Sequence, residues 1–95
     1  MAPEDAEYYA DELTQAQRAV ISLADAERPT LLEKVATGSG HEHSDISKAV
    51  DQLLAMNLIK KEQSRLAGKF FHSYVLLNER GLQVRAIIDG KASAA

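Results

Sequence analysis

Residues 43–52 read His-Ser-Asp-Ile-Ser-Lys-Ala-Val-Asp-Gln. They bring hydroxyl, ammonium and amide groups close together, with apolar residues between them. Such groups form hydrogen bonds and ion pairs; they do not by themselves break bonds. Ser can donate or accept, Lys can reach guanine O6 or N7, and Gln can meet a base edge or a phosphate. His43, Ser44, Ser47, Lys48 and Gln52 are therefore the first candidate contact residues. A second cluster, His41-Glu42-His43, raises metal binding, with His72 further along. Two His residues two apart diverge by about 200° on a helix, so both could ligate one ion only on extended backbone. A metal site needs three or four ligands, and the chain has no His-Glu-x-x-His motif and no Cys. A polar turn is the expected role for this cluster, with no metal and no cofactor. The sequence also lacks a Gly-rich phosphate loop, a nucleophile elbow and paired carboxylates in a defined context, so no enzymatic activity is expected.

The chain of 95 residues is long enough for one small domain. A hydrophobic share of 45% supports a packed core, though domains this small often add a dimer partner. No apolar run approaches the roughly 20 residues that cross a bilayer. The N-terminus is acidic and lacks the basic-then-apolar order of a signal peptide, so a soluble cytoplasmic protein with no membrane partner is expected. The net charge is -3, but it is unevenly spread. Residues 1–30 balance to -5 and residues 31–95 to +2. Within 58–75, Lys60, Lys61, Arg65 and Lys69 stand against Glu62 alone. That asymmetry points the second half of the chain toward a polyanion.

Several elements must position these groups. Residues 1–12 form an acidic lead-in, either frayed or a short helix. Thr14 and Gln17 make a capping box. The helix they open carries Leu13, Ala16, Val20, Ile21 and Leu23 as its apolar face and is expected to close at Pro29. Thr30 and Glu33 make a second capping box for a short helix ending at Gly-Ser-Gly, residues 38–40. Ser44 is the expected N-cap of a third helix over about 44–56. Its inward face holds Ile46, Val50, Leu53, Leu54 and Asn57. Residues 58–77 then read as a β-hairpin turning around Gly68, with the strand "FFHSYVLL" rich in aromatic and β-branched residues. Asn78 caps a last helix, and residues 91–95 are expected to fray.

The order helix, helix, helix, hairpin, helix is that of a winged helix-turn-helix. The expected class is mainly α with a small β-hairpin: a three-helix core, a two-stranded wing and a C-terminal helix, in one domain over 13–90. Ala36, Gly40 and Ile46 supply the small residue, the turn glycine and the buried branched residue that this motif needs. "DISKAVDQLLAMNLIKK" resembles the recognition helix and first wing strand of the MarR family of transcriptional regulators. Ile46, Ser47, Lys48, Leu53, Asn57, Leu58 and Ile59 carry the likeness. "LLNERG" at 76–81 resembles the family's Leu-Thr-x-x-Gly step into the last helix, with Asn78 in place of Thr. The likeness covers about residues 13–90. Its turn differs in placing Ser39 and His41 where apolar residues are usual.

The resemblance implies sequence-specific binding to double-stranded DNA. The helix at 44–56 would enter the major groove, and Arg65 and Lys69 beside Gly68 would reach the backbone or minor groove. Lys60 and Lys61 are phosphate contacts or plain solvated side chains. The acidic total, with Asp45 and Asp51, keeps open a winged helix that binds protein instead. A homodimer is expected, because one recognition helix reads few base pairs and regulators of this kind pair on two half-sites. Tyr8 and Tyr9 near the N-terminus, with Leu82, Ile87 and Ile88 on the last helix, are the candidate dimer surface. The residues specify no small-molecule effector.

Overall fold

The computed structural model describes residues 3–66 and 70–94, with side chains for 5–62 and 75–90. The elements in chain order are α1 (Pro3–Glu12), α2 (Gln15–Leu23), β1 (Thr30–Leu31), α3 (Leu32–Ser39), α4 (His43–Ala55), β2 (Ile59–Leu66), β3 (Phe70–Leu77) and α5 (Glu79–Ala94). The three strands form one antiparallel sheet in the order β1-β3-β2. This is a winged helix-turn-helix: three helices around a core, with a hairpin beside the third.

The core lies where α2, α3 and α4 meet the root of the sheet. Val20, Ile21, Val35, Ile46, Val50, Leu53, Leu58, Val75 and Val84 are each 0% exposed. Burying a side chain of this type stabilises the fold by about 1.5–3 kcal/mol, before the entropy of ordering is counted. Two guanidinium groups tie the outer helices to this core. Arg18 donates from Nη2 to the Ala10 carbonyl at 2.9 Å, satisfying a carbonyl in the last turn of α1. Arg85 donates from Nη1 to the Ala24 carbonyl at 2.9 Å, fastening α5 to the end of α2.

The Thr14–Gln17 capping box is present in both directions, at 3.2 and 2.9 Å. Gly40 takes the left-handed conformation at φ 76°, and its N–H donates to the Ala36 carbonyl, so the helix-turn-helix spacing is realised. Ser39 suits its turn position. Its hydroxyl donates to the Ala36 carbonyl at 3.1 Å and accepts from the His41 N–H at 3.2 Å. Asn78 caps α5 by accepting the Gly81 N–H at 2.9 Å.

Other local expectations are corrected. α2 stops at Ala24, well before Pro29, because the next residues peel away to the sheet: the Leu77 N–H donates to the Asp25 carbonyl at 2.8 Å. Leu23, expected on the apolar face, is 42% exposed. Thr30 does not cap α3. It pairs with Val75 as an edge strand, so the wing sheet has three strands and Leu31 is the N-cap, without a side-chain bond. α4 begins at His43 with Glu42 as N-cap, which puts Asp45 rather than Ser44 in the position that favours the helix dipole. Asn57 is not on the α4 helix face. At φ 60° it follows the C-cap, with its N–H on the Leu54 carbonyl and the Leu58 N–H on the Leu53 carbonyl. That pair of bonds is a Schellman motif, in which Asn replaces the usual Gly. α1 is a helix with Ala6 and Ala10 buried against the core, and α5 runs on to Ala94, past the expected end.

Candidate nucleic-acid interface

α4 presents two distinct sides. Ile46, Ala49, Val50 and Leu53 are buried, while His43, Ser44, Asp45, Lys48, Asp51 and Gln52 are exposed. Ser47 is half-buried at the edge. The split follows helical spacing, since residues three and four apart share a face. Four of the expected contact residues on this helix therefore stand open to solvent, with Ser47 partly so. No side-chain cap covers the first turn of α4, because the Glu42 side chain makes no capping bond. The N–H groups of that turn lack intrahelical partners and suit an anion.

Beside α4, the N-terminal end of α2 forms one wall of a shallow groove of about 230 Å³. Thr14, His41, Asp45, Lys48 and Gln52 line it. Gln17, read from the sequence only as a cap, joins the two walls. It is 4% exposed, and its Nε2 donates to Gln52 Oε1 at 2.7 Å. The sequence did hold a signal for it: a polar side chain stands at a helical spacing otherwise filled by Leu13, Val20 and Ile21.

The wing is β2 and β3, paired from Ile59 opposite Leu77 to Leu66 opposite Phe70. Lys60 is exposed and Lys61 half-buried. The backbone of Arg65 lies in β2 opposite Phe71, and its side chain is outside the described set. Lys69 and the turn at Gly68 lie outside the described residues. The root of the wing is tied at both strand ends. Asn78 Nδ2 donates to the Asn57 carbonyl at 2.7 Å, and the Asn78 N–H to the Leu58 carbonyl at 3.2 Å. One residue thus links the end of α4, the start of β2 and the start of α5.

The candidate dimer residues lie on two helices that pack together: Tyr8 and Tyr9 on α1, and Leu82, Ile87 and Ile88 on α5. Tyr8 is 63% and Leu82 41% exposed, while Tyr9, Ile87 and Ile88 are partly buried against the core. The Tyr8 and Tyr9 rings meet edge to face at 5.9 Å. Among the described residues, no group of three or more His, Cys, Asp or Glu could hold a metal ion, and no helix is long and apolar enough to cross a membrane.

An open polar helix face set beside a hairpin defines the class of the domain as a winged helix-turn-helix. Solved structures with this fold include a MarR-family transcriptional regulator from Silicibacter pomeroyi, at 19% identity and a TM-score of 0.77 over 97% of this chain and 62% of that one. The transcriptional regulator SlyA matches at 20% identity and a TM-score of 0.74, over 93% and 61%. The PcaV transcriptional regulator from Streptomyces coelicolor, solved with its natural ligand, matches at 23% and 0.73, over 96% and 67%. The chain thus spans about three-fifths of the first two of these structures. No protein-family model and no curated protein matches it.

Proposed function

We propose that this protein is a sequence-specific DNA-binding transcriptional regulator that acts without enzymatic chemistry. The observation that carries the reading is the exposed polar face of α4, turned outward while its aliphatic face is sealed in the core. A helix of this size fits the major groove of B-DNA, where side chains near its N-terminus meet base edges. Ser44, Ser47 and Lys48 are the proposed base contacts, with His43 and the open first turn of α4 beside a phosphate. Arg65 and Lys69 on the wing are proposed to follow the backbone or minor groove. The fold shared with MarR-family structures supports the same assignment. A cytoplasmic homodimer, paired through α1 and α5, would place two recognition helices on two half-sites.

The test is a selection from random DNA followed by a salt titration on the enriched sequence. Phosphate contacts release counterions, so affinity falls linearly with salt on a log–log scale. Enrichment of a motif with that dependence is the expected result. No retained DNA at low salt would overturn the proposal and leave a protein partner as the function of this face.

A further inference from the structure

Gln17 is the one polar side chain within the buried core of the described residues, at 4% exposed. Its orientation follows from chemistry. The Thr14 backbone N–H can only donate, so the atom it meets at 2.9 Å is the amide oxygen of Gln17. The amino end of Gln17 must then face α4, where it donates to Gln52 Oε1 at 2.7 Å. That bond in turn sets Gln52. Its oxygen is turned toward α2 with one of its two lone pairs taken, which leaves both amino hydrogens as the better-placed partners for anything entering the groove it shares with Lys48. A glutamine free to use both ends suits adenine, donating to N7 and accepting from N6. A glutamine whose oxygen is held inward, with its two N–H groups outward, suits an edge made of acceptors, as guanine presents with N7 and O6.

We infer that Gln17 is a positioning residue for base recognition: it holds Gln52 with its donors outward, so that Gln52 selects guanine over adenine. This rests on the DNA-binding reading above. No recognition-helix pattern reveals it, because the controlling residue sits on α2 and never meets the DNA.

The experiment is random-DNA selection with the full chain, alongside Gln52→Ala and Gln17→Glu. Glu at 17 still accepts from Thr14, as in the Ser/Thr-x-x-Glu capping box. Its second oxygen accepts from the Gln52 amino group, which turns that amide over and presents its oxygen outward. The expected result has three parts. Gln52→Ala loses preference at one position per half-site. The wild type favours guanine over adenine there by about tenfold or more. Folded Gln17→Glu moves that preference to a base with an exposed amino group, cytosine or adenine. A structural role alone would lower stability without moving the preferred base. Adenine at that position in the wild type overturns the inference, as does an equal loss on all sequences in Gln52→Ala; neither needs Gln17→Glu to fold. Unchanged guanine preference in folded Gln17→Glu also overturns it. In all three cases the wild type still selects a motif, which separates these failures from failure of the DNA reading, where it selects none.

Discussion

Gly81→Ala tests the joint that seats the wing on the helices. A Cβ built at Gly81 would lie 2.1 Å from the Leu58 carbonyl oxygen and 3.2 Å from both the Leu58 carbonyl carbon and Leu77 Cδ2. Carbon and oxygen settle at about 3.3–3.6 Å even in close C–H···O contacts, so a backbone must move by roughly 1 Å. The oxygen cannot retreat freely, since it accepts the Asn78 N–H at 3.2 Å. Overpacking costs about 1–3 kcal/mol, and a clash with backbone belongs at the upper end. Against this, Ala gains at most about 1 kcal/mol over Gly in a helix interior. The clash wins by about 2 kcal/mol, out of a total near 5–14 kcal/mol for a chain of this length. The midpoint of thermal unfolding should fall by about 10 °C. Gly90→Ala is the matched control: it lies in the same helix with nothing within 4 Å of the added carbon, so it should hold or gain up to about 1 kcal/mol. Urea denaturation followed by circular dichroism reads both. Equal stability of Gly81→Ala and wild type would refute the close approach of α5 to the Leu58 carbonyl.

Four further outcomes are expected. Lys48→Glu should weaken binding to the selected DNA by roughly tenfold to a hundredfold. Its stability should stay within about 0.5 kcal/mol of wild type, because the residue is exposed; titration and denaturation together check this. Ile46→Asp places a charge where exposure is 0% and should abolish the cooperative urea transition; a normal transition would contradict the burial of α4. Asn57→Ala should cost about 1–2 kcal/mol at φ 60°, while Asn57→Gly should keep or raise stability, and the reverse order in urea midpoints would contradict the left-handed turn. Sedimentation should find a dimer at micromolar concentration, dissociated by Leu82→Glu; a wild-type monomer would remove the proposed homodimer through the α1–α5 surface.

The parts of the fold that were legible in the sequence are those governed by residues near one another in the chain. The Thr14–Gln17 box, the Gly40 turn and the Asn78 cap are each closed within four residues, and all three are present. The misplaced elements depend on distant partners. Thr30 carries a local capping signal, but strand β3, more than forty residues later, claims it for the sheet. α2 ends early for the same reason, because Asp25 bonds to Leu77. Asn57 fits a helical spacing by residue type, yet the turn into buried Leu58 requires the left-handed conformation there. At the candidate site, the exposed face of α4 could be read from periodicity. The tie from Gln17 could not, because it joins residues 35 apart through side-chain orientation.

Charge explains how an acidic chain could still meet a duplex, and how tightly. The acids Asp5, Glu7, Asp11 and Glu12 belong to α1, which packs on α5, whereas α4 packs on α2, α3 and β2. At physiological salt the screening length is about 8 Å, so local charge outweighs the net value. The local balance is not generous, because exposed Asp45 and Asp51 flank exposed Lys48 on α4. On the proposed DNA-binding reading, affinity on this face would come largely from neutral donors: Ser hydroxyls, the Gln52 amide and the open N–H groups of the first turn. The bases proposed for phosphate sit mainly on the wing. Three phosphate contacts per protomer give a log–log salt slope of about -2.7, and five give about -4.5. A chain built this way should lean more on hydrogen-bonded readout than on bulk charge. It should therefore bind random DNA weakly, and it should depend on groups such as Gln17 that set the direction of an uncharged donor.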